Sequence, residues 1–533
     1  RDFTASATGT GGSSLASLLL GAPSSGSAVI TSTSNFFVNY YGAYVQDDWR
    51  VKSNFTLNYG LRIEHESGLQ EENNQFTVGF DRSAASPLGT VAGVGALKGG
   101  LMYAGVGGNN TYQGNPPAMK VSPRVGMVYS LNPTLVLRGG YGMFWAPWNY
   151  QFPGTTNYGN IGFTATTSLQ QSSGTSAPIT FLQNPFPNGL QKPTGSANGL
   201  LTGVGQAIDV IDQNKKAPYV QQVSLDLQKE LPHNMAVSVA FAHSRGDNLG
   251  LGGTLDGVVN INQIQNTQGF TAAQLNENVP NPFLGVAGAG GFASRTTIQR
   301  GQLLRPFPQF GDINLRQVTA GKSRYNALIL KFDKRVAHGW GGRFNYTYSN
   351  LKDNQFGESN FFSANSAEAQ NAYDIEAEYD TSILDVPHKI VFSPIVELPF
   401  GEGKRWAKEG VGKMILGNWT LSSIISLESG FPVAPRANNN VTNIFTRTQW
   451  VNEGSGDPAT SGSREDRLSP GIWLNSAGYT LPAQYAFGTL GRVDERARTP
   501  HRNNWDFVAT KDVPFKGGVR GQIRLEMLNI TNT

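Results

Sequence analysis

An all-β fold, an antiparallel transmembrane barrel with short periplasmic turns and long extracellular loops, is what this sequence predicts. Three observations lead there. Extended runs alternate apolar and polar residues at period two, which sends successive side chains to opposite faces of a strand. The runs come in pairs joined by brief turns. Between pairs the chain wanders through Gly-, Ser-, Asn-, Thr- and Pro-rich stretches at 67–120, 147–217, 247–311, 351–385 and 430–502. A soluble sandwich keeps its connections short, whereas strict alternation of short turns and long loops is the habit of outer-membrane barrels.

The first pair is "YGAYVQDDWRVKSNFTLNYGLRIEHE" (41–66), read as two strands around a four-residue polar turn. Phe55, Leu57, Tyr59, Leu61 and Ile63 fall on one face, and Asn54, Thr56, Asn58, Gly60, Arg62 and Glu64 on the other. "VSPRVGMVYSLNPTLVLRGGYGMFW" (121–145) repeats the form around Leu131-Asn132-Pro133-Thr134. In "YVQQVSLDLQKELPHNMAVSVAFAHSRG" (219–246), Val223, Leu225 and Leu227 oppose Gln222, Ser224, Asp226 and Gln228, with a turn at Pro232-His233-Asn234. "YNALILKFDKRVAHGWGGRFNYTYSN" (325–350) is the fourth pair. "HKIVFSPIVELPFGEGKRW" and "GNWTLSSIISLESG" make a fifth with a longer connection. In the sixth (503–529), Val519, Ile523, Leu525 and Met527 oppose Arg520, Gln522, Arg524 and Glu526. About twelve strands result, many near the roughly ten residues that cross a bilayer at a tilt. Trp49, Trp145, Trp340, Trp419 and Trp505 stand at or near strand ends, where an interfacial girdle would place them.

Composition excludes other classes. Charged residues make up 15% and the net charge is +4, so no broad basic field for nucleic acid exists. No stretch approaches the roughly 20 apolar residues of a membrane helix, and Leu15–Ala22 is followed at once by Pro23. With 0 cysteines there is no disulfide framework, thiolate metal site or cysteine nucleophile.

Chemical motifs are sparse. "TAGKSRYN" (319–326) lacks the first glycine of a phosphate loop and reads as turn chemistry, with Gly321 suited to a left-handed turn position. Glycine-rich "VAGVGALKGG" reads as flexible loop. The histidines at 65, 233, 243, 338, 388 and 501 are scattered, without metal-ligand spacing. Asp374, Glu376, Glu378 and Asp380 alternate in "YDIEAEYD", so an extended chain would put them on one face, a solvated acidic surface or a loop site for calcium. No cofactor is otherwise indicated. No nucleophile elbow or Ser/His/Asp order supports an enzyme.

The functional pattern with a physical warrant is charge on the polar faces. Arg62, Glu64, Arg138, Asp226, Arg343, Glu397, Arg520, Arg524 and Glu526 occupy those faces. Facing lipid, an Arg or Lys costs about 2–4 kcal/mol at the midplane, so these side chains are expected to look into a wet or plugged lumen.

Taken in order along nearly the whole chain, "YGAYVQDDWRVKSNFTLNYGLRIE", "SPRVGMVYSLNPTLVLRGGYGMFW", "YVQQVSLDLQKELPHNMAVSVAFAHSRG", "DVPHKIVFSPIVELPFGEGKRW", "GNWTLSSIISLESGFPV" and "NNWDFVATKDVPF…RLEMLNITNT" resemble the TonB-dependent outer-membrane transporters, in particular the Oar-like branch. The resemblance implies a 22-stranded barrel around a plug, in the bacterial outer membrane, taking up a large solute (oligosaccharide, peptide or chelate) with energy relayed by TonB. It also implies that residues 1–533 are a partial barrel domain. The signal peptide, regulatory sandwich, plug, TonB contact and last strands would then lie elsewhere. Expected partners are outer-membrane lipid, an extracellular solute and the TonB complex. A passive porin and an adhesin or scaffold binding through its loops stand as alternatives.

Overall fold

The structure is a computed structural model that describes residues 12–23, 25–147, 159–169, 180–251, 259–265, 269–355, 369–437, 449–459, 474–483, 486–515 and 519–531. Twelve long strands form one wall: β1 (Tyr40–Lys52), β2 (Phe55–Glu66), β3 (Lys120–Asn132), β4 (Leu135–Trp145), β5 (Tyr219–Leu231), β6 (Met235–Leu249), β7 (Gly321–Ala337), β8 (Trp340–Asp353), β9 (His388–Glu397), β10 (Trp419–Glu428), β11 (Arg502–Pro514) and β12 (Arg520–Met527). Each pairs antiparallel with the next, so order in space is order in sequence. A two-residue strand, Asp380–Thr381, pairs with β8 as a thirteenth member. No helix among the described residues is long and apolar enough to cross a membrane; Leu15–Ala22 contributes to the six-residue helix Ser14–Leu19.

All six pairs of the sequence reading are hairpins. The first turn is tighter than the expected four residues, since β1 ends at Lys52 and β2 begins at Phe55. A bulge between Arg50 and Lys52 takes up the difference and lengthens the strand. In the three-residue β5–β6 turn, His233 and Asn234 both adopt positive φ (64° and 60°), the left-handed backbone that lets a tight hairpin follow the twist of its strands.

Cross-strand register fixes the faces. Arg138 lies opposite Asp226, Asp226 opposite Ala240, Asp333 opposite Arg343, and Thr510 opposite Arg524. Partners in register share a face, and the apolar residues between them project the other way. That apolar face is open: Val45 is 68% exposed, Leu328 52% and Leu525 52%. All five tryptophans lie on it. Trp49, Trp340 and Trp419 stand near the short-turn end, and Trp145 and Trp505 near the loop end. With no core of its own behind it, a wall greased on this side is suited to hydrocarbon, where backbone groups are satisfied by strand pairing.

The hydrophobic core lies instead in the loops, which the sequence reading treated as wandering chain. Phe80, Leu101, Tyr103, Val210, Leu251, Ile261, Phe307, Phe310 and Ile313 pack into one buried cluster. Phe80 meets Phe307 and Phe310 edge-on at 5.1 and 5.6 Å. A small sheet within it pairs Ile208–Ile211 with Ile313–Arg316 in parallel, and Val259–Asn260 against the latter antiparallel. "VAGVGALKGG" is not irregular loop: it completes a hairpin of Thr77–Val91 with Gly95–Tyr103. Its glycines allow close packing, since a Cβ on Gly100 would stand 2.5 Å from Leu200 Cδ2. Gly321 likewise is no left-handed turn residue. It opens β7 beside a bulge, where a Cβ would lie 2.5 Å from the Leu249 carbonyl oxygen.

Candidate functional site

The nine charged residues singled out above share the polar face of the wall, but the structure does not gather them into one site. Near the loop end, Arg62 Nε donates to Glu64 Oε1 at 2.6 Å and its Nη2 to the Tyr40 hydroxyl at 2.7 Å. Beside them Lys120 and Glu66 form a buried ion pair on β3 and β2. Toward the short turns, Arg138 faces Asp226 at 3.7 Å, and Lys331 reaches the same carboxylate at 3.9 Å. Ser238 Oγ donates to it at 3.2 Å. Arg343 pairs with Asp333 at 2.6 Å, and Glu397 with Lys404 at 2.6 Å. On β12, Arg524 pairs with Glu526, while Arg520 has no ion-pair partner among the described residues. Pairs that the sequence could not reveal are Lys389–Glu428 at 2.7 Å and Arg502–Glu428. The face thus carries ion pairs both within strands and across neighbouring strands, interleaved with Gly126, Gly140, Gly142, Ser224, Ala240 and Ala242. Small residues keep the wall thin and leave the charges standing proud of it.

Above the loop end sits the packed crown. Arg492, fully buried, clamps it to the wall: Nε donates to the Glu378 carbonyl at 2.9 Å, and Nη2 to Asp353 Oδ1 at the end of β8 at 2.8 Å. Arg498 repeats the device, donating to Asp385 Oδ2 at 2.8 Å. Asn262 ties another corner. Its amide nitrogen donates to the carbonyls of Phe307, Phe310 and Gly311, and its oxygen accepts from Phe307 N at 2.8 Å. Of the long-loop aromatics, Phe283 and Phe307 are buried in the crown and Phe186 is half-buried.

The acidic run does not form the expected common face. Glu376–Glu378 is one turn of 3-10 helix, so alternate residues diverge. Asp374 caps Ala377 N at 3.2 Å, Glu376 pairs with Lys322 at 2.6 Å, and Asp380 faces Lys352 at 3.9 Å. Glu378 is buried and accepts from Trp450 Nε1 at 3.1 Å and Gln370 N at 3.1 Å. Burial pushes its carboxyl above the ordinary range, and the bonds from Gln370 and Trp450 oppose that push. Among the described residues, no cluster of three or more His, Asp or Glu side chains could hold a metal ion.

A wall apolar on one face and charged on the other, crowned at its loop end by a folded body, is the architecture of an outer-membrane β-barrel. The chain belongs to the family described as the outer membrane beta barrel domain, whose profile matches residues 1–533, and this places it in the bacterial outer membrane. Among curated proteins none matches the chain. Similar solved structures include the ferripyoverdine receptor of the outer membrane of Pseudomonas aeruginosa bound to ferripyoverdine (10% identity, 94% of this chain and 35% of that chain, TM-score 0.37). The outer membrane transporter YddB from Escherichia coli (8%, 93% and 50%, TM-score 0.37) is another. So is the copper transporter OprC (10%, 93% and 42%, TM-score 0.35). The chain spans between 35% and 50% of the length of these three.

Proposed function

We propose that this chain supplies barrel wall and extracellular crown to a TonB-dependent transporter that imports a large solute. The plug and TonB contact would come from parts of the protein outside this sequence. The observation that carries the reading is the charged polar face: Arg62, Glu64, Arg138, Asp226, Arg343, Glu397, Arg520, Arg524 and Glu526 all line one side of a wall whose other side is apolar, and all but Arg520 form ion pairs among the described residues. Charges held in hydrogen-bonded pairs stay in place while a solute or plug moves past, and they need an aqueous space to face. The crown supports capture from outside, because it is a packed body at the loop end of the wall.

The test is uptake by cells producing the whole protein. Import of a candidate oligosaccharide, peptide or chelate should stop when the proton-motive force is dissipated. A steadily open single-channel conductance of the purified protein would replace this reading with a passive porin. Cell or protein binding with no uptake of any solute would replace it with an adhesin.

A further inference from the structure

The connection between β9 and β10 stands apart from the other short turns. It runs from residue 398 to 418 and carries the seven-residue helix Gly410–Leu416. Its apolar side chains are largely uncovered: Val411 is 70% exposed, Met414 73% and Ile415 57%. Spaced at i, i+3 and i+4, they form one stripe of the helix. Lys413 lies on the opposite side and pairs with Glu402 at 2.7 Å. Trp406, half exposed, lies beside Phe400 at 5.8 Å between ring centres.

This stripe is continuous with the lipid-facing wall. Trp419, first residue of β10 and part of the aromatic girdle at the short-turn end, donates from Nε1 to the Ile415 carbonyl at 2.9 Å. Lys511 of β11 donates to the Ile415 and Gly417 carbonyls at 3.1 and 2.6 Å and lies 5.2 Å from the Trp419 ring centre. The C-terminus of the helix is therefore fastened to the outer face at girdle height. Around it stand Arg405, over the Trp406 ring at 5.0 Å, and Lys408. Neither forms an ion pair among the described residues. Apolar stripe, flanking tryptophans and spare cations together match the boundary between acyl chains and phosphate headgroups.

We propose that residues 398–418 form an interfacial foot that lies in the headgroup region of the membrane leaflet at the short-turn end, with Val411, Met414 and Ile415 in the acyl boundary and Arg405 and Lys408 on lipid phosphate. The occupant is phospholipid, and the foot fixes the depth and tilt of the wall at β9 and β10. This rests on the membrane assignment alone and is independent of transport.

Because the chain has 0 cysteines, a single introduced thiol reports one place. Met414→Cys, Gly403→Cys and Leu328→Cys variants are labelled with an environment-sensitive fluorophore. They are reconstituted in phosphatidylethanolamine/phosphatidylglycerol vesicles under conditions where the Leu328→Cys probe, on the outer face, is quenched by lipids brominated on their chains. The Met414→Cys probe should then be blue-shifted relative to Gly403→Cys and shielded from aqueous iodide. Lipids brominated near the headgroup should quench it more than lipids brominated near the chain ends. Arg405→Gln with Lys408→Gln should weaken that quenching, as should omission of phosphatidylglycerol. Equal iodide quenching at Met414→Cys and Gly403→Cys would overturn the proposal. So would shielding that appears only when a periplasmic protein fraction is added.

Discussion

Replacing Arg492 with methionine should release the crown from the wall while leaving the strands paired. Arg492 is fully buried and the side chain of its partner Asp353 is 9% exposed, with 2.8 Å between the charged atoms. At that distance and an effective dielectric of roughly 20, the gross attraction is about 6 kcal/mol. Desolvation of both ions removes much of this from the intact pair. Deleting only the cation, however, leaves a buried carboxylate and the carbonyls of Glu378, Asp353 and Gln355 without their donor. Such one-sided loss costs about 3–5 kcal/mol. The assay is proteolysis of the vesicle-reconstituted protein across a urea series, since cleavage of the crown reports its local opening while the wall stays protected. R492M should open at far lower urea, and adding Asp353→Asn should recover part of the loss by removing the stranded charge. A shift below about 1 kcal/mol, or no recovery in the double variant, would refute the clamp.

Other consequences are open to similar tests. Leu328→Arg, mid-strand on the outer face, should cost about 2–4 kcal/mol in urea titrations of vesicle-inserted protein, while Ile329→Arg on the polar face should cost far less. Phe310→Ala empties the centre of the crown cluster and should destabilise the crown by about 3–5 kcal/mol in the proteolysis assay. Burial raises the Glu378 carboxyl above the ordinary glutamate range, against the bonds from Gln370 and Trp450. Its contribution is complete below pH 4.5 and drains away as pH rises through the raised value, so crown stability should fall over that window and Glu378→Gln should flatten the fall. Asn234→Val forces a β-branched residue into left-handed backbone and should destabilise the β5–β6 hairpin by about 1–2 kcal/mol, read from the urea midpoint.

The wall was legible in the sequence because period-two alternation is a local signal repeated twelve times, and turns such as Pro232-His233-Asn234 carry their own chemistry. The crown was not. Its core is assembled from single residues such as Phe80, Tyr103, Ile261 and Phe310, each from a stretch with no periodicity, and their meeting depends on contacts across hundreds of residues. The acidic run misled for a related reason: alternation implies a shared face only if the backbone is extended, and a turn of 3-10 helix removes that premise. Polar-face charges could be placed by parity, but their partners could not, because register between strands such as β4 and β5 is set through a long intervening loop. The foot at 398–418 was visible only as an overlong turn, too brief for helical periodicity to show.

The crown consists of separate segments whose ends are all pinned to neighbouring strands, and this alters how it must fold. A free chain would have to close each of these long excursions at its own entropic expense. Here the finished wall holds every pair of ends a few ångströms apart, so only the ordering within each segment is left to offset. Cut from the strands and mixed as peptides, the same segments should remain unstructured, and a partner that grips the assembled surface would find nothing to hold.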